Sequence, residues 1–227
     1  AFLEDMGRSL ALQGFRNVMV SNFPGSPRHF LAIEPACERV SRAHGIRMAS
    51  VFSLMLSRLN GGGAELGEVL GHIPGVSRAD FEGDTHAGLV ETSQLLALHP
   101  DWVDPDYKSL PRRTVDLWLD ETGRERPAGA RGKPASIPQM VRGFKATIHY
   151  FAGDTYAGAP AGATAEIGEQ ILDTLASRTA EAVAEILDGT LPPEKWHSPF
   201  WKLRHIFVNR LALRFFNWVM QVPRGVG

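Results

Sequence analysis

The chain has 227 residues, 44% apolar and 22% charged. That is long enough to bury a sizeable core and ordinary for a soluble globular protein. A single cysteine, Cys37, excludes an intrachain disulfide and any zinc site built on cysteines, and it reads as a small core residue. The net charge of −1 conceals an uneven distribution. Six of the 24 Lys and Arg, and none of the 25 Asp and Glu, lie in residues 195–227, so a mildly acidic body carries a basic tail.

The chain opens Ala-Phe-Leu-Glu with no methionine and no signal peptide, directly in a helical pattern, and the expectation is a processed or incomplete polypeptide. Phe2, Leu3, Met6, Leu10 and Leu12 recur at near-helical spacing, with Gly14 as a stop. Residues 17–21, Asn-Val-Met-Val-Ser, read as a short strand. A loop over 22–28 comes next, then a helix over 29–44 stopped by Gly45, then a strand over 46–52. Helix and strand in alternation predict a parallel sheet with covering helices, where functional groups gather on loops at the carboxyl ends of strands. The loop over 22–28 is placed in that way. Gly61-Gly62-Gly63 comes after a short apolar helical stretch and has neither phosphate-loop spacing, so it reads as a turn. A short helix is expected over 65–72.

Gly83-Asp-Thr-His-Ala-Gly-Leu-Val-Glu-Thr-Ser93 sets two acids, an imidazole, a tight turn and two hydroxyls within eleven residues. Gly88 permits the turn, and the apolar run after it predicts a helix over Leu89–Leu98 with Glu91 in its first turn, where the helix dipole favours an acid. His86 then falls on the loop just before the helix. Two readings fit the residues: a site in which an imidazole meets a carboxylate and a substrate, or a capping arrangement in which Asp84 or Thr85 bonds the free amides.

After Pro100 the sequence is turn-rich, and residues 108–143, with Pro111, Pro127, Pro134 and Pro138, read as a long surface loop. Residues 144–151 alternate like a strand. Residues 153–160 form a glycine-rich turn, and 164–187 carry the best helical pattern of the chain, with Gly189 past its end. Over 198–220, Phe207, Val208, Leu211, Phe215, Trp218 and Val219 share one helical face, with Arg210, Arg214 and Asn217 opposite. Basic residues interrupt this run too often for a transmembrane span. A helix docked on the body or a neighbouring subunit, a helix on an anionic membrane surface, and a nucleic-acid contact all fit such a face. The acidic body and the want of a known module set the last aside, so no nucleic acid is expected.

His86-Ala-Gly-Leu-Val-Glu-Thr-Ser93, with Asp84 before it and Leu-Leu-Ala-Leu-His-Pro100 after it, resembles the HAGxxETS segment of the creatininase (creatinine amidohydrolase) family. Gly158-Ala-Pro-Ala-Gly-Ala-Thr-Ala-Glu-Ile-Gly168 is similar to that family's GxPxxAxxExG run into its last core helix. The similarity covers roughly residues 1–188 in the family's order. It implies a three-layer α/β/α sandwich with a mostly parallel sheet, a homo-oligomer, and metal-dependent hydrolysis of non-peptide C–N bonds, often in cyclic amides. Two divalent ions, zinc or manganese, activate water in that chemistry. The resemblance gives His86 the proton-handling role, with Glu91 and Asp84 orienting it or supporting the site.

Two departures stand beside it. The family's ExHG metal motif belongs upstream of the region matched by residues 1–20, and so is not in this chain. Its second metal motif, near NGHGGN, falls on Asn22-Phe-Pro-Gly-Ser-Pro27, where Pro24 replaces the ligand histidine and offers no ligand atom. The expected zinc or manganese ligands are therefore not present, and no metal residues are assigned. The reading is a creatininase-like α/β domain over 1–190 with a basic amphipathic extension over 191–227. It acts as a hydrolase with His86, Glu91 and Asp84 as its catalytic residues, or serves as a non-catalytic relative in assembly or attachment to a membrane or partner. One cysteine and no disulfide fit a cytoplasmic protein, peripheral to a membrane if the extension binds one.

Overall fold

The computed structural model describes residues 2–22, 27–58, 72–126 and 137–205, with 209, 211, 214 and 218. The elements in order are α1 (Phe2–Leu12), β1 (Asn17–Val20), α2 (Pro27–His44), β2 (Arg47–Ser50), α3 (Val51–Arg58), α4 (Leu89–Leu98), α5 (Val115–Glu121), α6 (Ile137–Phe151) and α7 (Ala165–Asp188). Short 3-10 turns fill several of the connections. The chain divides into two compact units, Ala1–Gly62 with Leu175–Asn217, and Gly63–Thr174 with Trp218–Gly227. It is a helix-rich α/β protein with a small parallel sheet.

In the first unit, β1 and β2 pair in parallel, from Asn17 opposite Arg47 to Val20 opposite Ser50. Alternation along β2 sends successive residues to different neighbours. Met48 joins Cys37, Val40 and Ile46, with Leu3, Val18 and Val20 against them. Ala49 joins Leu54, Ala182 and Ile186, with Met19, Leu191 and Trp196. Both α1 and α2 end on a glycine with positive φ. Gly14 (φ 95) lets its own N–H reach Ala11 and the Phe15 N–H reach Leu10, and Gly45 (φ 63) ends α2 in the same region of backbone space. Among the described residues, the outer edge of β2 is met by a side chain and not by a strand. Ser41 Oγ accepts the Met48 N–H at 2.9 Å and donates to the Met48 carbonyl at 3.2 Å. That arrangement satisfies both backbone groups that a neighbouring strand would have taken.

The start of the basic extension is anchored in this unit. Glu34, buried in α2, accepts the Ser198 N–H at 2.9 Å, and His197 stacks on Trp201 at 3.7 Å while Arg204 lies over the same ring. The expected amphipathic helix over 198–220 otherwise falls largely outside the described residues, as do residues 65–71 of the expected short helix, the Gly61–Gly63 run and residues 23–26 of the divergent loop.

The second unit corrects two expectations. Residues 144–151 are the end of helix α6 and not a strand. Ile148, which an alternating strand would bury with Tyr150, is 40% exposed, whereas Tyr150 is buried against Trp118 of α5. The packing of Tyr150 on Trp118 outweighed the β-preference of Ile, Tyr and Phe, which depends on packing context. The stretch 108–143 is not one loop either. Thr114 Oγ accepts the Leu117 N–H at 3.1 Å and starts α5, whose Leu119 is buried. Proline density concealed a short helix with a sound N-cap. Residues 127–136 lie outside the described residues.

Candidate active site

The site is assembled where the chain enters α4. Ser77 and Asp80 form a capping box at a one-turn 3-10 helix, and Phe81, 1% exposed, anchors the chain just before the site loop. Gly83 turns the chain at φ 73, close enough to Thr114 that a Cβ would stand 2.8 Å from its methyl group.

The two acids do different work. Asp84 turns to the start of α4. Its Oδ2 accepts the Leu89 N–H, and the N–H groups of Val90 and Ala159 also favour its charged form. Burial pushes this carboxyl up to about 6, and the charge of Glu91 acts in the same direction. Two glycines admit it. A Cβ on Gly88 would lie 2.7 Å from its Cγ, and one on Gly158 would lie 2.6 Å from its Oδ2 and 2.6 Å from the Gly88 Cα. Glu91, from the first turn of α4, reaches back to accept the Ala87 N–H at 2.7 Å, and the same Oε2 stands 3.1 Å from His86 Nδ1. A carboxylate only accepts, so the neutral imidazole carries its proton on Nδ1 and its lone pair on Nε2. Ala87, between them, is held at φ 46, a left-handed conformation that costs a non-glycine residue roughly 1–2 kcal/mol. The His86 side chain is 60% exposed, and the Phe151 ring meets it edge-on with 5.8 Å between centroids.

A strap over 153–160 holds the loop from outside. Ala157 pairs with His86 and Gly158 with Arg113 in antiparallel bridges, and Arg113 forms an ion pair with Asp154. Of the predicted residues, the structure brings His86 and Glu91 into contact and sets Asp84 on the helix amides. Arg113, Asp154 and Phe151 were not foreseen. The only sequence signal for the charged pair was an arginine in a polar stretch and an acid in a glycine turn.

The two motifs behind the family resemblance meet physically here. Gly88 of the first and Gly158 of the second close on the same carboxylate. A Cβ on Gly168 would overlap the Ser93 carbonyl and come 3.0 Å from the Ala97 Cβ, so α7 crosses α4 backbone to backbone. A family model described as Creatininase: Creatinine amidohydrolase matches residues 1–183. The chain belongs to the creatininase family. No curated protein and no solved structure matches it.

Membership points to hydrolase chemistry of a kind that is typically metal-dependent. Among the described residues of this creatininase-family chain, no group of three or more His, Cys, Asp and Glu could hold a metal ion. Near His86 the donors are already engaged, Nδ1 with Glu91 and Asp84 with backbone amides, so these residues do not fit a two-ion centre. Also among the described residues, no helix is long and apolar enough to cross a membrane.

Proposed function

We propose that the chain is a creatininase-like hydrolase that cleaves a non-peptide C–N bond of a cyclic amide, with His86 as its proton-handling group. The observation that carries this reading is the His86 Nδ1 to Glu91 Oε2 contact of 3.1 Å on an exposed imidazole. Glu91 fixes the tautomer and steadies the imidazolium when it forms. Nε2 takes a proton from water as its oxygen bonds the amide carbon, and returns it to the ring nitrogen as the C–N bond breaks. Asp84 supports the site from behind by holding the start of α4. We read the wider fold as the family's three-layer α/β/α sandwich, a reading that the different partners of Met48 and Ala49 support, and the assembly as the homo-oligomer that the resemblance implies.

The test pairs hydrolysis of cyclic amides with metal analysis of the purified protein. Turnover of a cyclic amide, reduced about a hundredfold or more in His86→Ala, is the expected result, with the metal content deciding whether an ion takes part. Less than one zinc or manganese per chain together with no hydrolysis of cyclic amides sinks the reading.

Pro24 at the family's ligand position favours a second reading, a non-catalytic relative kept for assembly and attached through the basic extension to a membrane surface or a protein partner. Such a chain is cytoplasmic and peripheral to the membrane it meets. Liposome co-sedimentation that is unchanged on deleting residues 198–227 removes the membrane form of it.

A further inference from the structure

We propose that the Arg113–Asp154 ion pair is a positioning device for His86, acting through the strap that links them; the proposal rests on the reading of His86 as the proton-handling group. The guanidinium meets the carboxylate as a fork, Nε 3.3 Å from Oδ1 and Nη2 donating to Oδ2 at 3.3 Å. Four residues beyond Asp154, Arg113 holds the strap again with its backbone. Its N–H donates to the Gly158 carbonyl at 2.9 Å and its carbonyl accepts the Gly158 N–H at 2.6 Å. Between these two points Tyr156 is fixed twice. Its carbonyl accepts the Tyr150 hydroxyl at 2.5 Å, and its own hydroxyl donates to the Pro111 carbonyl at 2.6 Å.

Residues 154, 156 and 158 are therefore tied to residues 111–113 and to Tyr150, and the intervening Ala157 pairs with the catalytic loop. Its N–H donates to the His86 carbonyl at 2.8 Å, and its carbonyl accepts the Thr85 N–H at 2.9 Å and the His86 N–H at 3.3 Å. An imidazole that is 60% exposed has few packing neighbours to hold it. Its position is set by Glu91 at one end and by the backbone at the other. The fork closes the loop from Asp154 to Gly158, so loss of either charge removes the tie at its Asp154 end and loosens the segment that carries Ala157.

The 15N shifts of the His86 imidazole in mildly alkaline buffer report which nitrogen carries the proton and need no turnover to be read. The wild-type protein is expected to show the Nδ1–H tautomer. Asp154→Asn and Arg113→Met are expected to give mixed tautomers and to lower kcat about tenfold with KM within about twofold, a misplacement effect and not a binding one. Arg113→Lys, which keeps the charge but loses the fork, should fall between. If Asp154→Asn fails to fold, the charge-exchanged pair Arg113→Asp with Asp154→Arg decides: recovery of the Nδ1–H tautomer supports the brace, and a mixture overturns it. A folded Asp154→Asn protein with an unchanged tautomer also overturns it, whatever the activity. A tautomer that responds in a wild-type protein without hydrolase activity leaves the brace standing and removes the catalytic reading instead.

Discussion

The region from α1 to α3 and the region from α4 to the start of α7 are held by different means. The first is organised by apolar volume. Two clusters divide the faces of a two-stranded sheet, and glycine enters chiefly where a helix must end. The second is organised by backbone approach. Gly88 and Gly158 close on one carboxylate, Gly168 lies on the carbonyl of Ser93, and bridges of one pair each tie the strap to the site loop and to Arg113. Side-chain volume can be altered by degrees, because neighbours relax into part of the space. A backbone contact leaves no flexible atom to move, so it tolerates a methyl group poorly.

The largest expected effect breaks the second region. Gly168→Val places a side chain on the Ser93 carbonyl, and we expect a loss of about 3 kcal/mol or more in urea unfolding, with the protein failing to fold as the extreme. Leu54→Ala tests the first region. Leu54 is fully buried among Ala49, Ala182 and Ile186, and the expected cost is about 3 kcal/mol, at the lower end if these neighbours collapse into the space. A Gly168→Val cost no larger than that of Leu54→Ala would erase the proposed contrast.

A smaller effect concerns Asp84. Its carboxyl titrates at about 6 in the folded chain against an ordinary 3.8, so between those values the folded state binds the proton more firmly than the unfolded state does. Its contribution is fully present below about pH 4 and is lost as pH rises through about 6, a difference of at most about 3 kcal/mol. Asp84→Asn should remove this slope, read as the wild-type-minus-variant difference in urea midpoints from about pH 4 to about pH 7. A difference that grows in the opposite sense would show that the helix amides outweigh burial and hold the carboxylate charged.

The α1–β1–α2–β2 order, α4 and α7 were legible because each helix is an apolar pattern closed by a punctuating residue: Gly14, Gly45, His99-Pro100 and Gly189. Those signals are local, and local chemistry decides where a helix stops. Helices α5 and α6 were not legible. The first is only seven residues long and sits among prolines, and the second carries β-preferring residues whose fate depended on Tyr150 finding Trp118. The site was half legible. That His86, Glu91 and Asp84 belong together came from their spacing and from the family resemblance. Which acid serves the imidazole did not.

The sequence by itself determined the family, the glycines that its motifs require and the residue types available to the site. Only the tertiary structure decided that Glu91 takes the imidazole while Asp84 takes the helix amides, and that Arg113 and Asp154 stand behind them. Spacing along a chain specifies which groups lie near a turn. The direction each one faces depends on the strap, which returns from far along the chain, and on the buried space left between backbones.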